Sequence, residues 1–158
     1  MRNVPDPLAD ERTMLEQFLD FHRATLLQKC QDLSAEQLSA APLDSKLSLH
    51  GLVRHLSRVE RWWFRMVIGG LDLPPLHISR ENPDLDFDEA IPQTWEDDLA
   101  LYEGEVAAAR DMIADLPLDY EARGFTLRWV YVHMIAEYAR HNGHADLIRE
   151  QLDGRTAV

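Results

Sequence analysis

Apolar residues recur every three or four positions over four long segments, and nothing of comparable length reads as a strand. That rhythm is the mark of amphipathic helices and leaves little of the chain for a sheet. The first helix is predicted from about Asp10 to Lys29, with Met14, Leu15, Phe18, Leu19, Phe21, Leu26 and Leu27 on its stripe. A short helix should follow at Ser34, where "SAEQL" has capping-box spacing with Gln37 at the third helical position. The second long helix is expected to start at the N-cap Ser48 and to stop at Gly69-Gly70. The third starts at about Thr94, whose hydroxyl is expected to cap it, and fades before Pro117. The fourth starts near Thr126 and ends at the C′ glycine Gly154.

The stretch between the second and third helices is rich in Pro, Asp and Gly and reads as a long connection. A loop of that length is uncommon inside a compact domain unless it is functional or crosses from one end of a bundle to the other. The expectation is therefore an all-α fold: one domain over residues 1–158, a four-helix bundle with a long crossover between helices two and three. With 158 residues and 46% apolar content, the chain is long enough for one real core and short for two.

Charge and composition remove several classes of function. A formal net charge of −12 disfavours nucleic acid and anionic membranes, both of which call for a basic surface. No apolar run approaches the ~20 residues that span a bilayer. The opening "MRNVPDPLADER" lacks the apolar middle of a secretion signal, so a cytoplasmic location is expected. The single cysteine, Cys30, excludes an internal disulfide framework and reads as a small buried residue.

The fourth helix contains an anomaly. "YVHMIAEYARHNGHADLIRE" carries His133, Glu137, His141 and His144 at three- and four-residue spacing. On a wheel of about 100° per residue with Glu137 at zero, His141 falls near +40°, His144 near −20° and His133 near −40°. The apolar residues of the helix, Leu127 to Leu152, fall between roughly +20° and +100° on that wheel. His141 thus lies within the core stripe and Glu137 at its border, with His133 and His144 further out. A carboxylate withdrawn from water without a partner costs several kcal/mol, and a divalent cation satisfies a carboxylate beside an imidazole.

The second long helix supplies a third donor. Leu52, Leu56, Val59, Trp62, Trp63 and Met66 make its stripe; His55 falls inside that arc, while His50, Arg54, Arg58 and Arg65 fall mostly outside it. His55, Glu137 and His141 are the predicted metal ligands, with His144 beside them or facing a substrate. A ferritin-type di-iron site does not fit, because it needs Glu-x-x-His on two helices and here Glu137 and His141 are four apart.

At these residues the chain resembles the DinB/YfiT-like superfamily of bundle metalloproteins, through "GLVRHLSRVERWWF" and "HMIAEYARHNGHADLIRE". Many members carry His-x-x-x-His followed by Arg-Gly-Gln; here Glu137 replaces the first His and His144 the Gln. The His-Glu-His version is similar to the branch of mycothiol-dependent maleylpyruvate isomerase and mycothiol S-transferase. The resemblance implies His55, Glu137 and His141 as ligands of zinc or a similar divalent ion; nickel, manganese and iron also suit such donors. Three protein ligands on zinc leave a fourth position open, the arrangement of a catalytic site.

The expected function is therefore a metal-dependent transfer of a low-molecular-weight thiol, mycothiol or one like it, onto a small electrophile. The rival readings are a non-catalytic metal or small-molecule binding protein and a zinc-dependent hydrolase. Trp62 or Trp63 is expected to wall a substrate space between helices two and four. Relatives of this fold often pair, and Phe87, Ile91 and Trp95 are expected to be exposed and available for a homodimer.

Overall fold

A computed structural model describes residues 2–156, and they are mostly helical. Four long helical segments fall where the apolar stripes put them. The first, α1, spans Glu11–Cys30, capped by Asp10, whose carboxylate accepts from the Thr13 amide. The short helix α2, Ala35–Ser39, carries the full capping box of Ser34 and Gln37. Helix α3 covers Leu49–Glu60 behind its N-cap Ser48 and runs on, without a break, as a π-helical stretch over Arg61–Ile68. Helix α5 spans Trp95–Ile113, and α6 spans Leu127–Asp153 between the N-cap Thr126 and Gly154 at φ 75°. Only glycine takes that left-handed conformation at little cost, so α6 ends where the sequence places its glycine.

Helix α1 packs along α6 and α3 along α5, with α3 also meeting α1 and α6. Leu19, Leu26, Leu52, Leu56, Phe64, Tyr102, Val130, Met134, Tyr138 and Ile148 fill the space between them. No helix among the described residues is long and apolar enough to cross a membrane. Cys30 is buried in the core, which pushes its thiol up to about 12 and leaves it a packing residue.

Several expectations are corrected. Thr94 precedes α5, but its hydroxyl donates to the Ile91 carbonyl and caps nothing. The connection between α3 and α5 contains a helical turn, α4, at Leu85–Asp88. A two-residue hairpin, β1 (Glu121–Ala122) with β2 (Phe125–Thr126), pairs Glu121 with Thr126 and Ala122 with Phe125. Its turn residues, Arg123 and Gly124, both have positive φ (50° and 82°), as a tight hairpin turn requires. Strands of two residues are too short to show alternation, and Arg-Gly lacks the Asn or Asp that marks such turns.

The π stretch corrects the wheel of the second long helix. Its wider winding, seen in the bond from the Gly69 amide to the Phe64 carbonyl, shifts the buried line to Phe64, Val67 and Ile68. Trp62, assigned to the core stripe, is instead 47% exposed, and Trp63 and Met66 are only half-buried. His50 and Arg54, placed off the stripe, are buried. Asp98 of α5 receives both: His50 Nε2 lies 2.9 Å and Arg54 Nη1 2.7 Å from its Oδ2. Burial alone would raise the Asp98 carboxyl, but these hydrogen bonds outweigh it and hold it down to about 2. A single-helix wheel sees one neighbour, whereas α3 is covered by α5 on a second face.

Of the three residues expected to be exposed for pairing, only Ile91 is. Trp95 is buried with the edge of its ring against His50. Phe87 of α4 lies over Gly51, where a Cβ would collide with its ring, and stacks 6.1 Å from the ring of His55.

Candidate metal centre

His55 stands in the middle of α3, and Glu137 and His141 stand one turn apart on α6. One donor atom from each lies within 4.8 Å of the other two, and all three side chains are partly buried. Glu137 Oε1 is 3.3 Å from His55 Nε2 and 3.2 Å from His141 Nε2. For a tetrahedral ion with bonds of about 2.0–2.1 Å, neighbouring ligand atoms sit about 3.3 Å apart. The two separations match that edge and are long for charge-assisted hydrogen bonds. The donor set of two imidazoles and a carboxylate, with its carboxylate centred between the rings, suits a divalent cation.

Electrostatics at the centre favour a charged Glu137. Hydrogen bonds from His141 and then His55 hold its carboxyl far below the usual range, against a smaller opposing effect of burial. Burial would lower the His55 imidazole, but its hydrogen bonds to the Asp86 and Glu137 carboxylates raise it.

The far side of His55 is held by a group that sequence reasoning missed. Asp86, on α4, is 1% exposed, and its Oδ2 lies 2.9 Å from His55 Nδ1 and 2.9 Å from Arg58 Nη2. Arg58 Nη2 is also 3.0 Å from His55 Nδ1. Both nitrogens carry hydrogens, so they are two donors converging on one carboxylate oxygen. In the neutral imidazole that a cation requires, the proton held on Nδ1 by Asp86 leaves the Nε2 lone pair free on the Glu137 side, the carboxylate–imidazole pairing that orients metal ligands. Asp86 is one of five acidic residues from Glu81 to Glu89. No spacing there distinguishes the one that folds inward.

His144, expected beside the ligands, has its Nδ1 3.4 Å from Nδ1 of His141. Burial, then the neighbouring His141 and Arg140, lower its pKa and favour the neutral ring, whose Nδ1 can accept from an Nδ1–H of His141. His133 is not brought to the centre. Its ring stacks 5.0 Å from Trp129 and lies 4.7 Å from Trp63 in an aromatic cluster one turn away.

A cleft of about 400 Å³ opens beside His55, walled by Trp62, Trp63 and Met66 of the π stretch and by Leu76 and Ile78 of the connection. It lies between α3 with its π extension and the connection, not between α3 and α6 as expected. The π winding matters here, because it turns the two tryptophans out of the core and into the cleft wall.

The sequence profile of the family described as mycothiol-S-transferase matches residues 14–154. A search of curated proteins found no match. The match spans all four long helical segments and contains every residue of the candidate centre. The chain therefore belongs to the mycothiol S-transferase family, a DinB/YfiT-like family.

Proposed function

We propose that the protein is a cytoplasmic transferase of one domain, a four-helix bundle of the DinB type, that joins a mycothiol-like thiol to a small electrophile. The observation that carries this reading is the convergence of His55, Glu137 and His141, with Glu137 at tetrahedral-edge distance from both imidazoles, beside a cleft lined mostly by apolar side chains. Those three residues would hold a divalent cation, zinc first among those the donors suit. When bound, such an ion lowers the pKa of a thiol, so that it is ionised at neutral pH.

The residues of the chain supply orientation and exclusion of water. Asp86 fixes the tautomer of His55, and His144 does the same for His141 by accepting from its Nδ1. Trp62 and Trp63 cover an electrophile from one side and hold it near the ligands. In the reaction the thiol sulfur bonds to the electrophilic carbon and the leaving group departs with its electron pair. The thiol proton passes to solvent.

Metal-loaded protein mixed with an aryl halide tests this. Turnover is expected only when mycothiol or a simpler thiol is present. Equal turnover without thiol would make the protein a hydrolase, and none under either condition would make it a binding protein.

Asp86→Asn is expected to keep the helical content and lose metal affinity by about 10–100-fold, the usual effect of removing a ligand's outer partner. Competition against a chromogenic chelator measures it. Unchanged affinity would leave Asp86 with a packing role only.

A further inference from the structure

We propose that the cleft beside His55 selects electrophiles that carry an acidic group, a carboxylate on an apolar body, and that Arg58 is the residue that anchors the acid. The proposal rests on the transferase reading and names its substrate class.

Three observations carry it. First, none of the 28 acidic residues of the chain lines this cleft, although the net charge is −12. Its charged lining is Arg58 and Arg61, a local reversal of sign. Second, the two arginines differ in what they have left to give. Arg61 is engaged throughout: Nε and Nη2 donate to Glu105 Oε1 and Nη1 to the Pro74 carbonyl. Arg58 commits only Nη2, to Asp86. Among the described residues its Nε is buried without a hydrogen-bond partner, and neither of the guanidinium contacts to Asp86 and His55 uses Nη1. A buried unpaired guanidinium donor costs free energy in the unliganded protein, and a carboxylate brought against the group recovers it. Third, apart from His55 the remaining wall is apolar, with Trp62, Trp63, Met66, Leu76 and Ile78 lining the space. An apolar body with one acid fits a wall of that kind better than a sugar or a polar peptide does.

Asp86 ties this anchor to the metal centre. The same carboxylate oxygen that receives Arg58 Nη2 receives His55 Nδ1, so an acid on Arg58 lies one residue away from a metal ligand. An electrophile held there by its carboxylate would present its reactive carbon toward the ion.

Two quenchers of tryptophan fluorescence, 4-nitrobenzoate and 4-nitrobenzyl alcohol, differ only in the acid and serve as probes. Saturable quenching is expected for both, with 4-nitrobenzoate about tenfold tighter or more, as a charge-assisted contact implies. The preference should persist after chelator dialysis, disappear in Arg58→Gln, and survive in Trp62→Ala, which weakens both probes alike. Equal affinities in the wild-type protein overturn the proposal. So does a preference seen only with zinc, which would mean that the carboxylate ligates the metal. Failure of the two ideas is distinguishable. Thiol-dependent turnover with equal probe affinities removes the anchor and leaves the transferase. A tenfold preference without turnover supports the anchor and removes the transfer reaction.

Discussion

His55→Ala protein is expected to bind zinc at least about 100-fold more weakly than the wild type, beyond what loss of an outer partner typically costs. Thiol transfer should be lost with the metal. The reason is geometric. His55 is the only one of the three donors that comes from α3, so without it the site falls to two neighbouring groups on a single helix. Glu137→Gln should be as damaging, because it removes the negative charge that both imidazoles face. Acid should mimic these variants. Metal binding needs neutral imidazoles, and the raised pKa of His55 in the metal-free protein means that protons begin to compete above its ordinary 6.5. Isothermal titration of chelator-treated protein at several pH values reads all of this. Retention of full affinity by His55→Ala would show that the ion, if any, sits elsewhere.

The largest effect on stability is expected from a group that touches no substrate. Arg23 of α1 donates from Nε and Nη2 to the two carboxylate oxygens of Glu60 on α3, at 2.8 and 2.7 Å. Tyr138 of α6 donates to the same carboxylate at 2.7 Å, and Tyr102 of α5 lies 3.0 Å from the Tyr138 hydroxyl. All four long helical segments therefore meet in one dry hydrogen-bonded chain; Glu60 is fully buried and Arg23 is 6% exposed. Arg23→Met leaves the Glu60 carboxylate buried without its counter-charge and should cost about 3–5 kcal/mol. For a chain of this size that corresponds to a fall in Tm of roughly 10 °C. Adding Glu60→Leu should restore much of the loss, since it replaces the orphaned charge with apolar volume. Urea unfolding of the single and double variants measures both. A single variant as stable as the wild type would mean that the Arg23–Glu60 pair contributes little to stability.

The four long helices were legible because each buries one face, and burial writes a 3.6-residue period into the sequence. The caps read at Ser34 and Ser48 reinforced the boundaries, with Thr94 the exception because its hydroxyl turns back to Ile91; the caps at Asp10 and Thr126 came to light only in the structure. The His55, Glu137 and His141 cluster was legible for a related reason: Glu137 and His141 sit where an amphipathic helix should be apolar, so they show as a break in a pattern.

What stayed hidden depends on neighbours distant in sequence. His50 and Arg54 look like surface residues until α5 is laid across them with Asp98. The π winding after Glu60 buries Phe64, Val67 and Ile68 in place of Trp62, and a wheel of fixed period cannot reveal it. Asp86 and Arg58 matter only because α4 folds back over Gly51 and brings a loop carboxylate to the rear of His55. Each is a residue of ordinary type in ordinary surroundings along the chain.

Two imidazoles and one carboxylate from two helices are proposed to share a single cation. X-ray absorption on zinc-loaded protein without a histidine tag tests it most directly. One ion per chain is expected, with two imidazole nitrogens and a carboxylate oxygen at about 2.0–2.2 Å, and loss of one imidazole signal in any zinc that His55→Ala retains. Zinc bound without imidazole scattering, or a spectrum unchanged by that substitution, would contradict it.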